Sequence, residues 1–151
     1  MRKIKLKNPG KHVITLTKPG DEVEIIGIFE TKRDEQVSVE IIIHHCAPRT
    51  LAITTLKGVV GDKSQLKFKG KIVIDPNCGQ SNSFLTERIL LLSDQAYVEA
   101  VPDLEIMTDD VKCSHAISIS NINPQQLFYL MSRGLCKKQA QDLIIKGFLS
   151  K

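Results

Sequence analysis

The sequence predicts a mainly β fold closed by a C-terminal helical hairpin, and three observations carry that prediction. Short runs of β-branched and alternating apolar residues, separated by turn residues, recur at roughly ten-residue spacing through the first 120 residues. The chain has no Trp, two Tyr and five Phe, so its core must come from Ile, Leu and Val, which suit a pleated surface. Beyond residue 122 the apolar period changes from that of a strand to that of a helix.

The strands are expected over residues 12–16, 22–29, 36–43, 51–59, 65–74, 84–92, 97–106 and 111–120. Turn signals separate them: Asn8-Pro9-Gly10, Pro19-Gly20-Asp21, residues 32–35, Gly61-Asp62-Lys63, and residues 75–80. Val37, Val39 and Ile41 share one face of their strand, and Leu66, Phe68, Ile72 and Ile74 share one face of theirs. Leu85 and the run Ile89, Leu90, Leu91 and Leu92 read as a strand buried on both faces, or as one at an interface. Regular short strands fit a sandwich, a barrel or a solenoid. No strict repeat chooses among them, and pattern alone leaves a β-helix and a sandwich level.

Asn123-Pro124-Gln125-Gln126 is a helix start, with Asn as N-cap, Pro at the first helical position and Gln three residues after the cap. The apolar run Leu127-Phe128-Tyr129-Leu130-Met131 follows, and Gly134 is the expected C-cap. That run exceeds the stripe a small helix needs, so most of it is assigned to the core and part to a partner surface. In a second helix Ala140, Leu143, Ile144 and Phe148 mark the apolar face, and Gly147 is expected to end it. The chain therefore reads as a single domain, 1–151, with a β body over 10–120 and a helical segment over 123–148.

Composition excludes several classes. There is no run of 18 apolar residues, so no membrane span is expected, and MRKIKLKNPG lacks the apolar core of a secretory signal. The net charge of +4 is modest for a nucleic-acid binder. The densest basic stretch, Lys67, Lys69 and Lys71, lies on one strand face and reads as solvated rather than phosphate-binding. Cys46, Cys78, Cys113 and Cys136 show no CxxC pairing and are expected to be reduced thiols in a cytoplasm.

Two clusters hold candidate chemistry. In His44-His45-Cys46, His44 and Cys46 can share a side while His45 points away, and other strands would have to complete any metal site. The plain alternative is a strand end with a buried thiol and partly exposed histidines. In Cys113-Ser114-His115 the thiol and imidazole share a strand face, and an imidazolium there would favour the thiolate that binds soft metals. No Walker, GxGxxG, HExxH, GxSxG or EF-hand pattern occurs, and no carboxylate pair shows acid–base geometry, so no catalytic residue is assigned and the chain reads as a non-enzyme.

Several segments together resemble a known family. They are Leu90-Leu91-Leu92-Ser93, Pro102-x-Leu104-Glu105-Ile106, and Asp109-Asp110-Val111-Lys112-Cys113-Ser114-His115. The tail segment Gln126-Leu127-Phe128-Tyr129-Leu130-x-Ser132-Arg133-Gly134-Leu135 follows, with Ala140, Leu143, Gly147 and Phe148. They resemble the SufB/SufD family, the scaffold subunits of the sulfur-mobilisation system that assembles iron–sulfur clusters. The likeness covers roughly residues 20–150. It implies a right-handed parallel β-helix capped by C-terminal helices. It further implies pairing through the β-helix, with a SufB-like subunit or a second copy, and docking of a SufC-like ABC-type ATPase.

By motif, His115 falls on the histidine that faces the cluster site and Cys113 on the cysteine beside it. The cargo implied is a transient iron–sulfur cluster shared with a partner subunit. Leu127, Phe128, Tyr129, Arg133 and Gly134 fall in the tail that meets the ATPase. Ser114 and Ala116 stand where SufB-type members carry acids, which makes the chain SufD-like. Leu85 and Glu87 stand where the family tends to have Gln and Asn. The N-terminal helical region of full-length members has no counterpart, so the expectation is a minimal form. The alternative is an interaction module of the same fold that has lost cluster chemistry. A carbohydrate-binding β-helix is disfavoured by the scarcity of aromatic residues.

Overall fold

In the computed structural model, which describes residues 1–150, the alternating segments become nine strands followed by two helices. The strands are β1 (Arg2–Leu6), β2 (Gly10–Leu16), β3 (Glu22–Thr31), β4 (Gln36–His45), β5 (Leu51–Val60), β6 (Gln65–Ile74), β7 (Asn82–Leu91), β8 (Tyr97–Ile106) and β9 (Lys112–Asn121). The helices are α1 (Pro124–Ser132) and α2 (Lys137–Ser150). Odd strands form one sheet, β1-β3-β5-β7-β9, and even strands the other, β2-β4-β6-β8. Every pairing is parallel. Each coil thus lays one strand in each sheet, which makes a parallel β-helix of about four turns and decides against the sandwich.

Coil length explains why no repeat is visible in the sequence. Glu22 pairs with Leu51, 29 residues on, Leu51 with Asn82, 31 on, and Gln65 with Tyr97, 32 on. The extra residues are taken up at the corners, so the side-chain ladder stays in phase while the spacing drifts. Those corners need left-handed backbone. Arg33, Arg49, Asp62, Asn77, Gln80 and Asp110 all have φ between 52° and 63°. Successive corners bond to one another: Gly20 N–H donates to Pro48 O, Arg49 N–H to Gly79 O and Gln80 N–H to Asp110 O, at 3.2, 3.0 and 2.7 Å.

Inward residues stack in columns along the axis. Ile14, Ile43, Ile72 and Leu104 form one, and Val39, Phe68 and Ala100 another. Val39, Ile41, Leu66, Phe68, Ile72 and Ile74 are all fully buried, as their alternation requires. On the opposite face of the even sheet, Lys67 pairs with Glu99 at 3.2 Å and Lys69 with Glu40 at 3.5 Å, while Lys71 pairs with Glu105 at 2.6 Å. The lysine stripe is therefore matched by carboxylates on the neighbouring coils and offers no continuous positive track for phosphates.

Three local expectations are corrected. β1 is a strand that the sequence reading did not assign, because Lys3 and Lys5 mask a short Ile4/Leu6 alternation. Gly10, taken as part of a turn, opens β2 instead, at φ 111°. Gly147 does not end α2. The helix continues to Ser150, and its last carbonyls are capped from outside, since Lys57 Nζ donates to Phe148 O at 3.0 Å and Leu149 O at 3.1 Å.

The N-cap and C-cap signals of α1 hold, whereas Leu143, expected on the apolar face of α2, is 49% exposed. Asn123 Oδ1 accepts from Gln125 N–H at 2.9 Å. At the far end Gly134, φ 96°, forms a Schellman motif, with Gly134 N–H donating to Met131 O and Leu135 N–H to Leu130 O. The hairpin folds back over the outside of the odd sheet. Lys57, Val59 and Leu90 point out of the solenoid yet are buried, and that accounts for the apolar run at the end of β7. The last coil itself, β8 and β9, stays uncovered.

Candidate functional site

The interior changes character toward that uncovered end. One column of the odd sheet runs Ile25, Thr54, Leu85, His115, a second runs Val23, Ala52, Ser83, Cys113, and a third Leu56, Glu87, Ile117. Aliphatic side chains thus give way, within two coils, to a hydroxyl, a carboxylate, a thiol and an imidazole. Glu87 is fully buried, and the His115 side chain is only 4% exposed, with Nε2 at 3.4 Å from Glu87 Oε1. Among the described residues, neither oxygen of Glu87 nor either nitrogen of His115 has a hydrogen-bond partner, and the same holds for the hydroxyls of Ser83 and Thr54.

Leaving so many buried polar atoms unpaired is costly, and a stack free to use Ile or Val there would avoid it. Space for the pair comes from across the solenoid, where β6 carries Gly70. A Cβ on Gly70 would lie 2.8 Å from His115 Cε1 and 3.1 Å from Glu87 Oε1, besides overlapping Leu85. Glycine is required here for close approach.

Cys113 is half-buried beside this pair, and burial pushes its thiol above the ordinary range. The expected thiolate stabilised by a neighbouring imidazolium is therefore corrected, because desolvation dominates and the resting group is the thiol. Sequence reasoning placed Cys113 and His115 on one face but missed Glu87 as their companion. The signal was present, since Ser83, Leu85, Glu87 and Ile89 alternate, putting a carboxylate on the apolar parity.

At the first cluster the predicted alternation holds with the burial inverted. His45 is the buried member and Cys46 is at the surface. His45 occupies the interior column between Leu16 and Ile74, with Nδ1 at 2.7 Å from Thr50 Oγ1. Burial, and secondarily the neighbouring His44, lowers its pKa from 6.5 to about 4. An unfolded chain takes up this proton near 6.5, whereas the folded chain resists to about 4. Stability is therefore intact above pH 6.5 and falls between these values, by roughly 3 kcal/mol in all. Urea unfolding with chelator present should show that loss at pH 4.5 relative to pH 7. His45→Gln, which keeps a partner for Thr50, should flatten it.

In the tail, Leu127 and Leu130 are half-buried against the hairpin, while Phe128, Tyr129 and Met131 are 74%, 55% and 42% exposed. The assignment of most of this run to the core is corrected. A short amphipathic helix lying on the outside of a solenoid has one face to bury, and three of the five side chains lie off it. Arg133 stacks over the Tyr129 ring at 5.3 Å.

Comparison with known proteins places this chain in a family. Residues 9–148 match the family described as "SUF system FeS cluster assembly, SufBD core domain". An iron–sulfur cluster assembly SufBD family protein of Pyrococcus horikoshii, PH1385, is 34% identical over 127 residues, covering 84% of this chain and 28% of that protein. The iron–sulfur cluster assembly protein SufD of Escherichia coli is 39% identical over 92 residues, covering 61% of this chain and 22% of that one. SufD of Bacillus subtilis is 41% identical over 93 residues, 62% of this chain and 21% of that one. The chain thus spans between a fifth and a third of the length of these curated relatives.

Proposed function

Because the chain belongs to the SufBD core domain family of the SUF iron–sulfur cluster assembly system, we propose that it is a SufD-like scaffold subunit that presents a cluster-binding face at the open end of its β-helix. The observation that carries this reading is the change of the interior from aliphatic to polar at the last coil, where the side-chain polar atoms of Glu87, His115 and Ser83 have no hydrogen-bond partner among the described residues. Nitrogen, oxygen and sulfur donors together suit iron, and the cluster is cargo that passes through rather than a resident group. Two or three donors do not complete a site, so a second subunit supplies the rest.

The same end offers the means of pairing. β9 and β8 are the edge strands of their sheets, with one row of backbone groups free. Their inward-parity side chains Leu104, Ile106, Ile117 and Ile119 are 38% to 49% exposed. An edge pair backed by aliphatic side chains fits a SufB-like chain or a second copy, and either would set the joint beside the buried Glu87–His115 pair. Phe128, Tyr129 and Arg133, on a helix held by the Gly134 motif and by Leu127, form the surface for a SufC-like ABC-type ATPase. Among the described residues no helix is long and apolar enough to cross a membrane, and we place the complex in the cytoplasm. In this role the chain itself turns over no substrate.

The test is His115→Ala, reconstituted anaerobically with iron, sulfide and the partner subunits. Cluster loading should fall roughly tenfold or more, with subunit pairing and circular dichroism unchanged. Equal loading by wild type and variant would remove His115 from the site.

A further inference from the structure

A second set of ligand-type side chains lies away from the last coil. β4 and β6 run in register to His45 and Ile74, and the ladder continues one step, with Asp75 N–H donating to His45 O at 3.0 Å. Cys46 is held in turn by its N–H to Leu16 O at 2.9 Å. Cys46 and Asp75 are therefore neighbours on successive coils, both on the outer parity. His44, two residues back along β4, shares that face. His44 Nε2 lies 2.8 Å from Asp75 Oδ1, and the three ligand atoms of His44, Cys46 and Asp75 all lie within 4.8 Å of one another.

We propose that His44, Cys46 and Asp75 form a binding site for a divalent transition metal ion of borderline softness, such as Zn²⁺ or Fe²⁺, separate from the Cys113–His115 face. A tetrahedral ion with bonds of about 2.0–2.3 Å needs its ligand atoms roughly 3.3–3.8 Å apart. The observed set reaches that spacing by opening the His44–Asp75 hydrogen bond slightly and turning the Cys46 side chain inward. The backbone already holds all three residues at one strand end. On binding, the Cys46 thiol gives its proton to solvent, and thiolate, carboxylate and neutral imidazole then balance the ion's two charges. A hard cation such as Mg²⁺ or Ca²⁺ finds only one carboxylate here and no carbonyl cage. The fourth position faces solvent, since His44 and Asp75 are each about one-third exposed.

Cobalt(II) is the probe, added to chelator-treated, reduced protein. One equivalent should produce a thiolate-to-cobalt charge-transfer band with tetrahedral d–d absorption, and zinc should displace it. Cys46→Ser should abolish the charge-transfer band and Cys113→Ser should preserve it. His44→Gln and Asp75→Asn should each weaken binding by about 10- to 100-fold. A variant-free measurement runs beside these: zinc should slow alkylation of Cys46 in the wild-type chain at least tenfold, as read by peptide mass. A band that survives Cys46→Ser or disappears in Cys113→Ser overturns the assignment, as does zinc-independent alkylation of Cys46.

Discussion

Replacing Glu87 by methionine should raise the thermal midpoint by several degrees while cutting cluster loading in the assembled complex roughly tenfold. The first half follows from burial. Glu87 is fully enclosed between Leu56 and Ile117 in its column, with both carboxyl oxygens lacking a hydrogen-bond partner among the described residues and His115 at 3.4 Å. Methionine fills a similar volume without that desolvation cost, so stability should rise by about 1–3 kcal/mol. His115 loses a neighbour at 3.4 Å, yet its nitrogens already lack a hydrogen-bond partner among the described residues. The second half follows from function: a chain retains so costly a group only where something outside the monomer uses it. Glu87→Met with His115→Leu should be more stable still. A lowered midpoint would make Glu87 structural, and a raised midpoint with full loading would make it dispensable. Only the opposed pair of changes supports a cluster role.

Side-chain parity was legible in the sequence and its consequences were not. Val39 and Ile41, Leu66 and Phe68, and Cys113 and His115 all point where alternation puts them, because the period of a strand is fixed by its backbone. Whether the strands stack as coils or pair as a sandwich depends on what lies one coil away. The drift from 29 to 32 residues per coil hid that relation. The same blindness hid both partners of the ligand-type side chains. Glu87 meets His115, and Asp75 meets His44 and Cys46, only after the chain has made a full turn. Helix ends show the contrast within one hairpin. Asn123 and Gly134 act through bonds to residues two to five positions away and were readable. The end of α2 is set by a lysine more than 90 residues upstream.

That lysine gives the second large effect. Lys57→Met should destabilise the chain by about 1–3 kcal/mol, and Lys57→Glu by more than 3 kcal/mol. The Lys57 side chain points out of β5 but is buried beneath α2, its ammonium bonded to two terminal carbonyls and 5.9 Å from the Phe148 ring centroid. Burial, and then Arg88, hold its pKa below the usual lysine range, so the charge is kept there at a cost that the helix end must offset. Methionine preserves the packing of the stem and removes only the donor, whereas glutamate sets a negative charge against the negative end of the helix. Amide exchange should locate the damage in the last turn of α2, with the β-helix amides unchanged. Uniform loss of protection would instead mean that the hairpin and solenoid unfold as one. The pair of variants also separates positioning from contact. Phe128→Ala should lose ATPase capture with full helix protection, whereas Lys57→Met should lose capture only to the extent that α2 frays. Capture that survives in Phe128→Ala would move the docking surface off α1.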